Sequence, residues 1–111
     1  MTIDFKTSRL KRIFNSKKAL VREYGEKDAK RIVLRMAVLD NAPNLSTVPT
    51  SRPDRCHPLK GDRQSEFAVD LVHPRRLIFC PNHDPIPMKE DGGVDLFRVT
   101  AVKILGVEDY H

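Results

Sequence analysis

Two short clusters of polar residues contain the side-chain types that RNA cleavage without a metal requires. The reaction uses the ribose 2′-hydroxyl as nucleophile. Its site therefore needs a proton acceptor near that hydroxyl, cations around the phosphate and a proton donor near the leaving 5′-oxygen. Imidazole titrates near neutral pH and serves in either proton-transfer role. Each of the two clusters contains a histidine.

The first cluster is the segment HPLKGDR, which runs from His57 to Arg63. It brings a histidine, a lysine and an arginine together over seven residues. Gly61 and Asp62 predict a turn just before a strand, which would gather His57 and Lys60 at a sheet edge. The alternative is a polar approach to a hairpin with solvated charges.

The second cluster is the C-terminal sequence Glu108, Asp109, Tyr110 and His111. Asp109 is suited to orient a histidine, and the ring of Tyr110 offers a surface on which an RNA base can stack. Such stacking contributes ~1–3 kcal/mol in other systems. The alternative is a polar chain end in solvent.

The distribution of charge favours a polyanionic partner. Residues 6–35 contain 11 Lys and Arg against 3 Asp and Glu, a net charge of +8, whereas the rest of the chain has 9 against 12, a net charge of −3. The two sum to the overall charge of +5. Cations that neutralise phosphates release bound counterions. Solvated helix faces are the alternative explanation.

Hydrophobic periodicity predicts an N-terminal strand at Ile3 and Phe5, a helix over residues 10–24 that ends at Gly25, and a second helix over residues 29–39. Residues 41–58 contain four prolines and predict a long loop. Strands are expected at 67–71 and 76–79, and residues 96–107 predict one long strand or two short ones, with a bulge at Gly106. Residues 81–93 predict a second loop. The sequence thus predicts one α+β domain spanning residues 1–111, with a two-helix hairpin on one face of a mostly antiparallel sheet of about four strands.

The composition also predicts a cellular location. Apolar runs are far shorter than the ~20 residues of a membrane helix, and the N-terminal residues do not resemble a signal peptide. Two cysteines, Cys56 and Cys80, are too few for a secreted disulfide scaffold and are expected to be reduced. We therefore expect a cytoplasmic protein.

The order of these motifs resembles the HigB, or plasmid-maintenance-killer, branch of the RelE toxin superfamily. The resemblance rests on HPLKGDR, the strand after it, Arg76-Leu77-Ile78-Phe79 and the ending EDYH. It covers nearly the whole chain, and the combination of motifs is specific. The chain departs from the family at Phe67, where a tryptophan is common, and at Glu66, where relatives tend to have a basic residue.

The resemblance implies a RelE-like fold and the toxin of a type II toxin–antitoxin system, which cleaves mRNA in the ribosomal decoding site. It implies a small DNA-binding antitoxin of the HigA type as partner, and no cofactor. We expect Arg63 and Arg75 to contact RNA. The matching catalytic positions are His57, Lys60, Arg76, Asp109, Tyr110 and His111.

Roles follow as hypotheses. We assign proton transfer to His111 with Asp109, charge stabilisation to Lys60 and Arg76, and base stacking to Tyr110. His57 would be a second proton-transfer or phosphate-binding group.

Two other classes of function compete with this one. Cys56-His57 and Cys80-x-x-His83 supply four possible ligands for tetrahedral zinc. A toxin without nuclease activity is the second: an RNA or ribosome binder, or a ParE-like protein that poisons gyrase.

Overall fold

The computed structural model describes residues 1–63 and 65–109 as an α+β fold. These residues form three α-helices and five strands, with short 3-10 turns between some of them. The elements in chain order are β1 (Thr2–Phe5), α1 (Ser8–Phe14), α2 (Lys17–Tyr24), α3 (Glu26–Asn41), β2 (His57–Pro58), β3 (Phe67–Asp70), β4 (Arg75–Pro81) and β5 (Ala101–Asp109).

Helices α1 and α2 occupy the stretch where periodicity predicts one helix. The expectation of two helices is therefore wrong for the described residues. The Ser16 hydroxyl accepts the N–H of Ala19 at 3.1 Å, which starts a new helix at this point. The Asn15 N–H donates to the Lys11 carbonyl and closes α1. Gly25, at φ 90°, joins α2 to α3 in a conformation that glycine adopts most readily.

The sheet has the strand order β1-β5-β4-β3-β2. The edge strand β1 runs parallel to β5, while the three other pairs are antiparallel. The sheet is therefore mixed and has five strands, not the expected four or so. The additional strand is β2, which lies at the end of the stretch predicted as a loop and pairs with β3.

The two faces of the sheet are covered differently. One face, which we call the helix-covered face, packs its buried residues with those of the helices, among them Ile32 and Leu39. The sheet residues of this cluster include Phe67, Val69, Leu77, Phe79, Val102 and Ile104. A smaller cluster of Leu59, Ala68 and Ile78 lies apart from it and contains no residue of α1, α2 or α3. We call the side of the sheet that carries this cluster the helix-free face.

A β-bulge interrupts the pairing of β4 with β5. Ile78 pairs with Gly106, but the next residue, Phe79, pairs with Ile104, so Leu105 has no opposite residue. Gly106 has φ 148°, which glycine tolerates well. The bulge predicted at Gly106 is confirmed.

The helices are too short or too polar for a bilayer. Within residues 1–63 and 65–109, none combines the length and the apolar character that membrane crossing requires.

Candidate active site

Four polar residues on neighbouring strands share the helix-free face near the β3–β4 turn. His57 pairs with Ala68, Asp70 pairs with Arg76, and Arg76 pairs with Glu108. Residues directly opposite each other in a sheet place their side chains on the same face. The register therefore sets an imidazole, a guanidinium and two carboxylates on one surface.

The ring of His57 is held by the backbone of Arg55. Its Nδ1 lies 2.7 Å from the Arg55 carbonyl oxygen. A carbonyl can only accept, so Nδ1 carries the proton in this hydrogen bond. In the neutral ring Nε2 is then the nitrogen with the lone pair. This is the state of an imidazole that can accept a proton.

Arg55 connects this histidine to Asp70. Its Nε and Nη2 donate to the two carboxylate oxygens of Asp70 at 2.7 and 2.9 Å. Its φ of 45° lies in the left-handed region, which costs a non-glycine residue roughly 1 kcal/mol or more. The side-chain contact of Arg55 with Asp70 and the contact of its carbonyl with His57 hold it in this conformation. His57, Asp70 and its neighbour Arg76 are thereby fixed relative to one another.

Arg63, expected to contact RNA, is held by two carboxylates. Its guanidinium bonds Glu66 at 2.6 and 2.8 Å and Glu108 at 2.8 and 2.9 Å. Glu66 is the acidic departure from the family pattern. The hydrogen bonds from Arg63 lower the pKa of Glu108. The charge of Arg63 is compensated within the chain, and its contact with RNA stays a prediction.

The lowered pKa of Glu108 predicts a pH dependence of stability. A carboxylate with a depressed folded-state pKa stabilises the fold above its ordinary value of 4.5, and this contribution disappears as pH falls through the lower folded-state value. We expect Glu108→Gln to lower the free energy of unfolding at pH 7 by ~0.5–1 kcal/mol, because the pair is part-exposed. Its stability should also change less than that of the wild type below pH ~4.5.

Urea titrations followed by circular dichroism at several pH values would measure this effect. Asp62→Asn is the matched control, since Asp62 is exposed and forms no ion pair with the described residues. If the free energy of unfolding fell as steeply at acidic pH in Glu108→Gln as in the wild type, the prediction would be contradicted.

Arg75 and Asp109 belong to the helix-covered side. Arg75 Nη1 donates to the Tyr24 carbonyl at 3.0 Å and lies 3.4 Å from the Asp28 carboxylate, so it tethers the end of α2. Asp109 pairs with Arg75 in the sheet, and their charged groups are 3.6 Å apart. Consecutive strand residues point to opposite faces. The expected grouping of Asp109 with Arg76 is therefore not found.

The remaining expected site residues divide into two groups. Lys60 is exposed just after β2. Tyr110 and His111 lie outside the described residues, so their expected roles stay predictions.

A cleft of about 520 Å³ opens beside this surface. Six arginines and one aspartate line it, a formal charge of +6 − 1 = +5. Segments from α3, from the loop before β2 and from the β3–β4 turn form its walls. The lining residues are Arg31, Arg35, Arg52, Pro53, Arg55, Asp70, Leu71, His73, Pro74, Arg75 and Arg76.

One cleft arginine is a structural residue. Arg35 is 4% exposed, and its Nε donates to the Asp70 carbonyl at 2.7 Å. Its other nitrogens reach the Pro53 carbonyl at 3.2 Å and the Asp54 carboxylate at 3.5 Å. It thereby ties α3 to the loop and to β3, which fixes the cleft walls.

The zinc alternative finds no support in the described residues. Cys56 is buried in the main core, where burial raises the pKa of its thiol to about 12. His83 Nε2 accepts the N–H groups of Thr100 and Ala101 at 3.1 and 3.3 Å, so it has a structural contact. Over residues 1–63 and 65–109, no three His, Cys, Asp or Glu side chains form a metal-binding group.

Comparison with known proteins adds no family assignment. The chain matches no protein-family model, and no curated protein matches it. Inference about function therefore depends on the chemistry of this site and on the resemblance of its motifs.

Proposed function

We propose that the chain is the toxin of a type II toxin–antitoxin pair, a metal-independent endoribonuclease that cleaves mRNA on the ribosome. The observation that carries the proposal is the location of His57 and Arg76 on the same sheet face beside an arginine-lined cleft. The cleft has the charge that a phosphate backbone requires, and the imidazole has a nitrogen able to accept a proton.

The proposed reaction is an internal transesterification at one phosphate of the RNA chain. The 2′-oxygen loses its proton and attacks the adjacent phosphorus, while the bond to the 5′-oxygen breaks. The products are a 2′,3′-cyclic phosphate and a 5′-hydroxyl, so atoms and charge balance without a metal or an oxidant. His57 Nε2 is suited to take the first proton, and in this proposal His111 donates a proton to the leaving oxygen.

Arg76 and Lys60 supply positive charge at the phosphate in this proposal. Negative charge grows on the phosphate oxygens as the bond to phosphorus forms, and preorganised cations stabilise it. The ion pair of Arg55 with Asp70 fixes the end of β3 opposite Arg76. The Asp109 carboxylate contacts Arg75, and its role beside His111, which lies outside the described residues, stays a prediction.

Arg76→Ala should reduce RNA cleavage by ~10²–10³-fold, the usual loss when one preorganised donor to a developing charge is removed. Brief expression followed by primer extension would map the 5′ ends of cleaved messages. Wild-type cuts should lie in frame and only in translated mRNA. Arg98→Ala, an exposed arginine outside the cleft, is the matched control. Unchanged cleavage by Arg76→Ala would contradict the proposal.

A second candidate is a toxin that binds RNA or the ribosome without cutting it. The arginine cleft supports it, because charge alone suffices for such binding. Growth arrest that persists in Arg76→Ala and His111→Ala, without new mRNA ends in any variant, would favour this candidate. Either toxin would need an antitoxin, for which the cationic helices α1–α3 are the suited surface.

A further inference from the structure

Two arginines of the cleft have no ion-pair role within the described part of the chain. Arg31 and Arg52 are exposed, line the cleft and form no ion pair with residues 1–63 or 65–109. The contrast with their neighbours is direct, since Arg35, Arg55 and Arg75 each contact a carboxylate. Arg35, Arg55 and Arg75 therefore stabilise the walls of the cleft. The N–H donors of Arg31 and Arg52 stay available to a ligand in the cleft.

The two residues come from different elements and converge on one space. Arg31 lies on α3 one turn before Arg35, about 6 Å along the helix axis. Arg52 lies in the loop whose Pro53 carbonyl Arg35 holds. The buried ion pair of Arg35 with Asp54 thus fixes the distance between the elements that carry the exposed arginines. Guanidinium groups carried on fixed elements can bind a phosphate through paired N–H donors.

The cleft has room for more than one phosphate. A volume of about 520 Å³ is within the range of pockets that enclose a small-molecule ligand. A phosphate at Arg76 would fill a small part of it. Leu71, Pro53 and Pro74 add apolar wall on which a base can lie, beside guanidinium planes that also stack on bases.

We propose that Arg31 and Arg52 form a subsite for a backbone phosphate next to the scissile one. The ligand is single-stranded RNA, whose strand passes from Arg76 into the cleft. This inference rests on the proposed function, because it takes the scissile phosphate to lie at Arg76. An RNA strand is favoured over an acidic peptide because the cleft is continuous with Arg76 and combines phosphate-binding charge with walls for bases.

Binding of a 2′-O-methyl RNA oligonucleotide tests the subsite without cleavage, since its blocked 2′-oxygen cannot attack. Fluorescence anisotropy over a range of salt concentrations gives the slope of log affinity against log salt. Each lost phosphate contact on a single strand lowers this slope by about 0.7. Since the two arginines share one phosphate, we expect Arg31→Gln/Arg52→Gln to lower it by about 0.7 and to weaken binding roughly tenfold at low salt.

The control is Arg22→Gln/Arg98→Gln, which removes the same charge from exposed positions outside the cleft. An equal loss in both double variants would overturn the subsite, because general charge would then explain binding. Unchanged RNA binding by Arg31→Gln/Arg52→Gln would also overturn it, and weakened binding of an acidic antitoxin peptide would then assign the cleft to a protein. Arg31→Lys/Arg52→Lys should keep the slope and lose affinity.

Failure of the proposed function has a different signature. If wild-type protein cuts no RNA but the slope still falls by about 0.7 in Arg31→Gln/Arg52→Gln, the subsite stands and the nuclease proposal falls. If cleavage is normal and the slope is unchanged, the nuclease stands and the subsite falls.

Discussion

Replacing His57 with glutamine should slow RNA cleavage by ~10²–10⁴-fold, the usual contribution of a positioned proton-transfer group. Glutamine has a similar size and can still donate to the Arg55 carbonyl, which now holds His57 Nδ1 at 2.7 Å. It cannot take up a proton at neutral pH. The variant should therefore fold normally and bind RNA while cleaving it far more slowly. Single-turnover cleavage on programmed ribosomes would measure the rate of the chemical step.

His83→Gln is the matched control for this experiment. His83 accepts two backbone N–H groups away from the cleft, and the glutamine side-chain oxygen can accept them instead. We expect its cleavage rate to stay close to that of the wild type. A wild-type rate in His57→Gln would remove His57 from the reaction. An equal loss in both variants would point to a general effect on folding.

Replacing Arg35 with methionine should lower the free energy of unfolding by ~3–5 kcal/mol, the cost of breaking a buried ion pair from one side. The Arg35 and Asp54 side chains are 5% and 10% exposed, so water cannot solvate the aspartate that remains. The carbonyls of Asp70 and Pro53 would also lose their donor. Methionine keeps most of the side-chain volume, so little of the loss would come from packing.

Urea unfolding followed by circular dichroism would measure the change as a shift in midpoint at constant slope. Arg31→Met, one turn earlier on the same helix, is the matched control. Arg31 is exposed, and its replacement should change stability by no more than ~0.5 kcal/mol. A loss below ~1 kcal/mol in Arg35→Met would show that the ion pair does not hold the three segments together.

Local sequence patterns predicted the strands better than the helices and the sheet edge. Ile3 and Phe5 in β1 alternate with polar neighbours, and the bulge at Gly106 follows from the properties of glycine. The break between α1 and α2 depends on one hydroxyl contact at Ser16, which apolar periodicity does not detect. Strand β2 is two residues long, too short for an alternating pattern, and exists because β3 lies beside it.

The candidate site was predicted in part. His57, from the first motif, and Arg76, from the predicted strand at 76–79, do lie on the same face of the sheet. The cleft could not be predicted, because Arg31, Arg52 and the β3–β4 turn are distant in sequence and meet only through tertiary packing. Net charge indicated an anionic ligand without indicating its place.

The charge of a side chain also misleads when its ion-pair partner cannot be recognised from the sequence. Arg63 and Arg75 have the residue type that contacts RNA, but each is bound to carboxylates of the chain itself. The partners Glu108 and Asp28 are 45 and 47 residues away along the chain. No local pattern identifies such pairs.

The unpaired Leu105 sets the phase of the last part of β5. Because Leu105 stands outside the pairing, Glu108 lies opposite Arg76 and Asp109 opposite Arg75. If Leu105 were paired with Ile78 instead, each later residue of β5 would shift by one position, so Val107 would lie opposite Arg76 and Glu108 opposite Arg75. In the divergence of such chains, a single-codon deletion of Leu105 would remove the bulge and leave both acids opposite the same arginines.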